Sequence, residues 1–490
     1  MSRDGLRYNE VRQKSVHNCF QRHEGVLDQF AYWRLRSFEV DIHRSKPYAP
    51  ALQGDWYVFH ERWDAFTSVE KLSGLLSFLR AMQLAVPEHE VVTVFLDLKD
   101  SFSRADWGPH SGQALDRLLR EHLGAAIFTP ADLLGHASTL QHAVADEWPL
   151  LHDLHGRFVF VLTGKREYVD GYAADDGAAR ARVAFVSRRV DHEDDVPGPS
   201  HVLFYNMDAR HVGLAARVHA RGLVARSYYV NSKKAWGAAR AALCHHIATD
   251  KVNSAEDPWS RTSVDGGWPF EALSGETPEG SEPGEVCGVW SNTGDIWSEK
   301  DSFYFHYVER AAGDADHSYD FFVSSPNSEV DDWAKACVMA RASLRQDAPY
   351  FGVFRIGEKS GLRVQLRDRA GSPTVKHELA TPAGFEPDTL ALVRLRVSKG
   401  GRRADGFASV DGGEWMHIAR WGFADPLVYQ GLGVSGHDSR AGVKFLFGVP
   451  YGADRPPFDR GRIVGPTTGR RGWSDWDGER RWSVRGWSPR

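Results

Sequence analysis

The length, composition and charge of the chain exclude several classes of protein. It has 490 residues, of which 42% are hydrophobic, so it is long enough for two or three globular domains. A formal net charge of −5 argues against nucleic acid as the main partner, and no apolar run reaches the roughly 18 residues of a membrane-spanning helix. No secretory signal is visible at the N-terminus, and four scattered cysteines leave the compartment open.

The first half of the chain alternates short apolar runs with helical patterns. The clearest helix is predicted from Thr67, with Glu70 three residues later as a capping box. Apolar strands alternating with helices are typical of a parallel sheet covered on both faces, and their number favours a (β/α)8 barrel of TIM type over residues 1–255. A short strand before His17 brings the count to nine, one more than the barrel needs. The other predicted strands are 38–42, 56–60, 91–98, 158–162, 183–186, 202–205, 223–230 and 246–249.

The second half of the chain has a different character. A stretch rich in Gly, Pro, Ser and Glu predicts a linker at 256–285. Beyond it, β-rich runs separated by turn signals predict an all-β jelly-roll sandwich over 286–450. The tail at 451–490 is rich in Trp, Arg and Gly, and we expect it to pack on a domain rather than meet an anionic surface. The predicted sandwich strands include 303–308, 319–323, 350–356, 362–366 and 390–397.

Two pairs of polar residues interrupt strands that otherwise read as buried. Glu39 and Asp41 lie two apart, so both side chains point to one face of their strand, and Asp97 and Lys99 repeat this spacing. Carboxylates facing each other in a barrel mouth repel unless a cation or hydrogen-bond donors hold them. Oxygen ligands of this kind suit a hard cation, Ca²⁺ or Mg²⁺, more than zinc, so the pattern predicts a site for one of these two ions.

Two histidines are expected at the same mouth, because the carboxyl ends of barrel strands build the active site together. His17 and Asn18 follow the first predicted strand, and His60 ends the strand predicted at 56–60. Two imidazoles beside a cation suit phosphoryl chemistry, since one takes a proton or stabilises charge while the other protonates a leaving group.

These residues, in this order, resemble a known family. His17-Asn18, then Glu39-Val-Asp41, then a strand ending in His60, look like the catalytic region of Ca²⁺-dependent phosphatidylinositol-specific phospholipase C. The resemblance extends over roughly residues 8–253. It implies a barrel enzyme, a phosphoric diester hydrolase or phospholipase C-like lyase, that acts on inositol phospholipid at a membrane surface.

The resemblance also implies a role for each of these residues. His17 would contact the phosphate and stabilise the transition state, and His60 would be the general acid toward the leaving alcohol. Asn18, Glu39 and Asp41 would be metal ligands. The inositol 2-hydroxyl would attack the phosphorus, and diacylglycerol and a cyclic phosphate would be released.

Further positions match the family by shorter stretches. Lys165, Arg226 and Tyr228 resemble substrate-binding residues, where cations meet the phosphate and a tyrosine stacks on the sugar. In strict register Lys99 occupies the place of the family's fourth acidic ligand, so Asp97 would bind the metal from one pleat deeper. Lys99 would then either contact the phosphate or replace part of the cation's work, as a basic residue does in metal-independent members.

The second half resembles a concanavalin-like β-sandwich of secreted bacterial enzymes, over about residues 289–449. The stretches that carry this resemblance are 294–308, 331–344 and 410–415. Such modules are associated with carbohydrate or surface binding, and a packing role is equally open.

Two other functions remain open for the barrel. One is a glycerophosphodiester phosphodiesterase, although that family usually opens with His-Arg-Gly where this chain has His17-Asn18-Cys19. The other is a non-catalytic protein that binds a surface or a carbohydrate and uses the barrel only as a scaffold. The relatives suggest a location outside the cell, which nothing in the sequence itself decides.

Overall fold

The structure of the protein is a computed structural model that describes most of both halves of the chain. The predicted linker and tail lie largely outside the described residues. For β-strands 285–291, 443–448, 460–464 and 479–483, only the backbone is described. The described residues are 5–252 (without 23, 27–28, 31–32, 62, 64–65, 86 and 106–107), 257–260, 269–274, 285–323 (without 292–293 and 312), 332–357, 361–379, 391–410, 414–437, 443–448, 460–464 and 479–483.

Eight parallel strands close into a barrel in the first half of the chain. β1 pairs in parallel with β9 on one side and with β2 on the other, which closes the circle, so the predicted (β/α)8 barrel is confirmed. A short strand, β10, lies antiparallel on the start of β1. The strands are β1 (Val11–Val16), β2 (Ser37–His43), β3 (Tyr57–Val58), β4 (Val92–Leu98), β5 (Phe158–Gly164), β6 (Phe185–Arg189), β7 (Phe204–Asp208), β8 (Val224–Tyr228), β9 (His246–Thr249) and β10 (Phe270–Ala272).

The run at 56–60 is not a barrel strand, and that prediction was wrong. Only Tyr57–Val58 is extended, and it runs antiparallel to the end of β2, where Ile42 pairs with Val58 and His43 with Tyr57. The chain therefore turns back at the mouth after β2, and the next parallel strand of the barrel is β4. Removing this strand from the count of nine leaves the eight that the barrel needs.

The helix predicted from Thr67 begins five residues later, at Leu72. The Thr67 hydroxyl donates to the Val69 carbonyl rather than capping a helix. The intervening chain pairs with β3 instead, since the Val58 amide donates to the Glu70 carbonyl.

Helices cover the outside of the barrel and bury its apolar strands. In the first helix Leu72, Leu75, Leu76 and Leu79 lie on one face and are buried, and they belong to one apolar cluster with the strands. The helices are α1 (Leu72–Ala85), α2 (Gly112–Leu123), α3 (Pro130–Leu134), α4 (Leu140–Asp146), α5 (Arg166–Asp170), α6 (Asp176–Arg180), α7 (Ala215–His219) and α8 (Lys233–Ala241).

Two antiparallel seven-stranded sheets form the second half, as the sequence predicted. The first has the order β22-β21-β20-β15-β24-β11-β26 and the second β19-β18-β17-β16-β23-β14-β25, with β12 and β13 as a separate hairpin. The strands are β11 (Glu285–Ser291), β12 (Ile296–Trp297), β13 (Lys300–Asp301), β14 (Phe303–Glu309), β15 (His317–Val323), β16 (Lys335–Arg341), β17 (Tyr350–Ile356), β18 (Leu362–Arg367), β19 (Val375–Glu378), β20 (Ala391–Ser398), β21 (Arg403–Val410), β22 (Met416–Gly422), β23 (Tyr429–Ser435), β24 (Val443–Gly448), β25 (Arg460–Val464) and β26 (Glu479–Ser483).

In the described part of the chain, no helix has the length and apolar content that crossing a bilayer requires.

Candidate active site at the barrel mouth

The acidic residues predicted on neighbouring strands lie together at the carboxyl end of the barrel. β2 and β4 run in parallel with Asp41 opposite Asp97, so these two side chains project to the same side of the sheet. Oxygen atoms of Glu39, Asp41 and Asp97 all lie within 4.8 Å of one another. The strand register alone therefore assembles a cluster of three carboxylates.

The Lys99 ammonium lies on this cluster rather than apart from it. Its Nζ is 2.6 Å from Asp97 Oδ2 and 3.1 Å from Asp41 Oδ2. Burial lowers the pKa of Lys99, but the carboxylates of Asp97 and Asp41 outweigh burial and hold it above its ordinary value. Lys99 thus partly neutralises the carboxylates, and its contact with the phosphate stays a prediction.

Asp41 remains poorly compensated despite this ammonium. Neither of its side-chain oxygens meets hydrogen-bond geometry, and the residue is almost fully buried. Burial, followed by the charge of Asp97, raises the pKa of Asp41 well above its ordinary value, although Lys99 opposes the shift. These are the electrostatic conditions under which a carboxylate gains from a further cation.

Arg226 forms an internal ion pair with Glu39. Its Nη2 lies 2.7 Å from Glu39 Oε2, its Nη1 donates to Asn206 Oδ1 at 2.9 Å, and its guanidinium carbon lies 4.8 Å from the ring centre of Phe95. Burial raises the pKa of Glu39, but Arg226 and then His17 outweigh it, so the pKa is held below its ordinary value. Arg226 is buried, so its contact with substrate stays a prediction.

His17 is oriented by an aspartate that the sequence analysis did not single out. His17 Nδ1 lies 2.9 Å from Asp250 Oδ1, and its Nε2 lies 3.7 Å from Glu39 Oε2. Asp250 follows the last barrel strand and also accepts from Asn231 Nδ2 at 2.6 Å. The sequence could have indicated Asp250 by its position, because Asp250 directly follows β9 just as His17 directly follows β1.

Two tyrosines flank the His17 imidazole. Tyr228, which ends β8, is stacked at 6.5 Å between ring centres, and Tyr229 meets the imidazole edge-on at 4.6 Å. Tyr228 therefore lies beside His17, where a sugar-stacking role was predicted for it.

The second predicted histidine lies at the edge of this region. His60 is half-buried and follows Phe59, whose carbonyl lies 3.0 Å from His43 Nε2 and whose ring stacks on that imidazole. His43 shares the β2 face of Glu39 and Asp41, and burial lowers its pKa. His43 was thus a second histidine that alternation along β2 could have identified.

Asn18 and Lys165 occupy different settings. Asn18 is buried in the left-handed conformation directly after His17, and its Nδ2 donates to Gln21 Oε1 at 3.3 Å. Lys165 is exposed after β5, with its Nζ 5.4 Å from the Tyr168 ring centre. Metal binding by Asn18 and phosphate binding by Lys165 stay predictions.

The donor set fits a hard divalent cation. Three carboxylates from two adjacent strands converge, and the two oxygens of Asp41 lack hydrogen-bond partners of good geometry. All these donors are oxygens, the ligand type that Ca²⁺ and Mg²⁺ prefer. An ion at this place would compete with the Lys99 ammonium for Asp41 and Asp97.

Comparison with known proteins gives this barrel a family likeness. The model of the family described as phosphoinositide phospholipase C, Ca²⁺-dependent, matches residues 53–230, roughly a third of the chain. The barrel is phospholipase C-like. The family is described as one of phospholipases, so the likeness points to phosphoric diester cleavage as the activity to test. The matched segment contains His60 and Lys99 and leaves out β1 and β2, which carry His17 and the Glu39–Asp41 pair.

Solved structures resemble the phospholipase C-like barrel at low sequence identity. A calcium-dependent phosphoinositol-specific phospholipase C from Pseudomonas sp. is 19% identical, over 55% of this chain and 96% of that chain, with a TM-score of 0.46. The Ca²⁺-dependent enzyme of Streptomyces antibioticus is 22% identical over 50% and 94%, with a TM-score of 0.41. A glycerophosphodiester phosphodiesterase from Parabacteroides distasonis is 9% identical over 51% and 96%, with a TM-score of 0.33. No curated protein matches the chain.

Proposed function

We propose that the phospholipase C-like barrel cleaves the phosphodiester bond of inositol phospholipids at its mouth. The observation that carries this proposal is the His17 imidazole, which Asp250 holds at Nδ1 while Nε2 lies 3.7 Å from the Glu39 carboxylate. A positioned imidazole beside converging carboxylates is what general-base attack on a phosphate ester needs.

The geometry of His17 supports a role as the base. Because Nδ1 of His17 bonds to the Asp250 carboxylate, the neutral imidazole carries its proton on Nδ1. The lone pair of Nε2 is then available to take the proton of the inositol 2-hydroxyl. The hydroxyl oxygen then forms its bond to phosphorus. Once protonated, Nε2 donates to a phosphate oxygen as negative charge develops there.

The leaving group is the glycerol oxygen of diacylglycerol. As the bond between this oxygen and phosphorus breaks, the oxygen takes up a proton. We assign the donation of that proton to His60, which is half-buried beyond β3. The products are diacylglycerol and a cyclic inositol phosphate, which water can open later. Tyr228 beside His17 supports stacking on the inositol ring, and the exposed Lys165 supports attraction of the phosphate.

Glu39, Asp41 and Asp97 would hold a Ca²⁺ ion, with Asn18 as a further ligand. When bound, such an ion supplies positive charge that polarises the attacking hydroxyl and neutralises the phosphate. Arg226 fixes the position of Glu39 through their 2.7 Å ion pair, so its contribution is to position the ligand.

A comparison of two substrates tests the proposed reaction. The rates of cleavage of phosphatidylinositol and of glycerophosphoinositol are measured with Ca²⁺ and with chelator. We expect faster cleavage of the lipid and loss of activity in chelator. Preference for the deacylated compound would instead indicate a glycerophosphodiester phosphodiesterase, and full activity in chelator would assign the cation's work to Lys99.

The sandwich has one feature that supports the second predicted partner, a carbohydrate. Trp297 and Trp333 are exposed, and each lies 5.8 Å from a buried cation, Lys335 and Arg363 respectively. Exposed indole rings suit stacking on sugar faces. Binding of the full chain to a glycan array, compared between the wild type and Trp333→Ala, tests this role, and equal binding would refute it.

A further inference from the structure

Two buried cations of the sandwich lie beside exposed indole rings. The side chains of Lys335 in β16 and Arg363 in β18 are each only 3% exposed. Trp297 and Trp333 are exposed, and each has one of these cations 5.8 Å from its ring centre. We call these four residues the indole–cation site.

Strand pairing places the two cations on one face of the sheet. In β17, Ile356 pairs with Lys335 and Phe354 pairs with Arg363. Because Ile356 and Phe354 are two residues apart, the side chains of Lys335 and Arg363 project to the same side. The two charges are close enough to act on each other. Burial lowers the pKa of Lys335 and the charge of Arg363 acts in the same direction, whereas Asp295 opposes the shift.

The two cations differ in how well they are compensated. Lys335 donates to Asp295 in a close ion pair. Among the residues that the structure describes, the Arg363 guanidinium forms no hydrogen bond, and its Nε is buried without a partner. Its Nη1 lies 3.6 Å from Oε1 of Glu378, a side chain that is 55% exposed. A buried guanidinium in this state gains free energy when an anion binds to it with better geometry.

The same face carries a second polar group without a partner. Gln365 lies two residues after Arg363 in β18, and both polar atoms of its side chain are buried without a hydrogen bond. Buried polar groups are ordinarily paired, so two unpaired neighbours indicate a partner from outside the chain.

The charge balance favours an anionic partner. Three cations of the described residues, Lys335, Arg363 and Lys376, face two carboxylates, Asp295 and Glu378, which leaves an excess of one positive charge.

We propose that the indole–cation site binds a saccharide that carries a monoanionic group, either a carboxylate or a sulfate ester. The sugar ring stacks on Trp333, and the anionic group takes the place of Glu378 at the Arg363 guanidinium. A guanidinium pairs with two oxygens of such a group through parallel hydrogen bonds. This inference rests on the carbohydrate role proposed for the sandwich and is independent of the reaction at the barrel mouth.

A saccharide is favoured over a nucleic acid, which also uses stacked rings and cations. An excess of one positive charge does not neutralise a row of phosphates, and the whole chain has a formal net charge of −5.

Two pairs of ligands test the inference by titration calorimetry of the full chain. Oligogalacturonate is compared with its methyl ester, and dextran sulfate with dextran, so that each pair shares its sugar and differs in charge. We expect the charged member of at least one pair to bind about tenfold or more tightly than its neutral partner. The pair that shows this preference identifies the anionic group as carboxylate or sulfate.

Variants separate charge recognition from stacking. Arg363→Met should weaken binding of the charged ligand by about tenfold or more, with an unchanged or higher Tm because a buried charge without hydrogen bonds is removed. Trp333→Ala should weaken binding of both members of the pair. Arg345→Met, at a sandwich position that is 77% exposed, is the matched control and should leave binding unchanged.

Glu378→Gln should strengthen binding instead of weakening it. This change removes the carboxylate that competes for Arg363, so we expect the affinity for the charged ligand to rise by about threefold.

The outcomes distinguish failure of this inference from failure of the carbohydrate role. Equal affinity for the charged and neutral members of both pairs, or wild-type affinity for the charged ligand in Arg363→Met, would overturn the inference alone. Absence of binding to all four ligands would overturn the carbohydrate role as well. Tighter binding of oligothymidylate than of any saccharide would assign the site to nucleic acid.

Discussion

His17 and Lys99 have different roles at the barrel mouth. His17 Nδ1 bonds to Asp250, which leaves Nε2 to face the site, whereas the Lys99 ammonium lies 2.6 Å from Asp97 Oδ2 and 3.1 Å from Asp41 Oδ2. An ammonium placed there does part of the work of a metal ion, but it cannot accept ligands from the substrate. The balance between Lys99 and a bound cation therefore determines how strongly the site needs Ca²⁺.

Replacement of Lys99 tests this competition. Lys99→Met keeps the length of the side chain and removes the charge that lies on Asp41 and Asp97. We expect the affinity for Ca²⁺, measured by titration calorimetry, to rise by about tenfold or more because Asp41 and Asp97 then lose their compensating ammonium. Lys165→Met, at an exposed position, is the control and should not change it. A weaker affinity in Lys99→Met would contradict this account.

At the level of elements, strand ends explain what the sequence could predict and what it could not. The pairs Glu39–Asp41 and Asp97–Lys99 were predictable because alternation within a strand fixes their faces. The contact between Asp250 and His17 was not predicted, because it joins residues 233 positions apart in the chain. Residues 56–60 were wrongly predicted as a barrel strand, because an apolar composition does not show whether a strand pairs with its neighbour in parallel or antiparallel.

The end of β5 constrains the position of Asp97. Gly164 has φ +122°, and a Cβ added there would lie 2.7 Å from the Leu98 carbonyl oxygen and 3.1 Å from Asp97 Oδ1. We expect Gly164→Ala to lower the free energy of unfolding by about 2 kcal/mol and to weaken Ca²⁺ binding. Gly237→Ala in α8, where a Cβ meets open space, should instead stabilise by about 0.5–1 kcal/mol. Urea unfolding measures both, and equal effects would contradict the proposed constraint.

His245, the residue just before β9, makes the stability of the barrel sensitive to acid. His245 Nδ1 accepts the Ala225 amide at 3.0 Å and its Nε2 lies 3.0 Å from the Asn9 carbonyl oxygen, so the buried ring is held neutral. Burial, and then His219, lower the pKa of His245 to about 3, whereas an unfolded histidine has a pKa of about 6.5. The unfolded chain thus binds more protons between these values, and stability falls as the pH drops below about 6.5.

His245 lowers the free energy of unfolding by about 1.4 kcal/mol for each pH unit below about 6.5. Glutamine can accept from the Ala225 amide and donate to Asn9 without titrating, so His245→Gln should flatten the slope by that amount. Urea unfolding at pH 5, 6 and 7 measures it. An unchanged slope in a variant that is as stable as the wild type at pH 7 would contradict the prediction.

At the scale of the whole molecule, the two halves depend on different interactions. The barrel has an ion-paired cluster at its mouth, and the described sandwich buries a separate charged centre. There Asp301 receives Arg341 Nη1 at 2.8 Å and Arg367 Nη2 at 2.8 Å, and Arg367 also donates to the Ser298 and Ala348 carbonyls. This cluster ties loops of the sandwich together and is separate from the active site.

Removal of the Asp301 charge should destabilise the sandwich alone. Asp301→Asn leaves two buried guanidinium groups uncompensated, so we expect a loss of about 3–5 kcal/mol in the unfolding of this domain. Phosphodiesterase activity at 25 °C should be unchanged. Lys376→Gln, which breaks an exposed ion pair with Glu378, is the control and should cost less than about 1 kcal/mol. Calorimetry of the full chain measures both, and a loss of activity in Asp301→Asn would show that the halves act together.

The central claim is that the His17 site cleaves the phosphodiester of an inositol phospholipid, and ³¹P NMR of phosphatidylinositol during incubation with the protein tests it most directly. For the wild type we predict that the lipid diester signal gives way to that of a cyclic inositol phosphate. For His17→Ala we predict a rate at least about 100-fold lower with the fold retained. A wild type that leaves the diester intact, or a folded His17→Ala that cleaves it at the wild-type rate, would contradict the account.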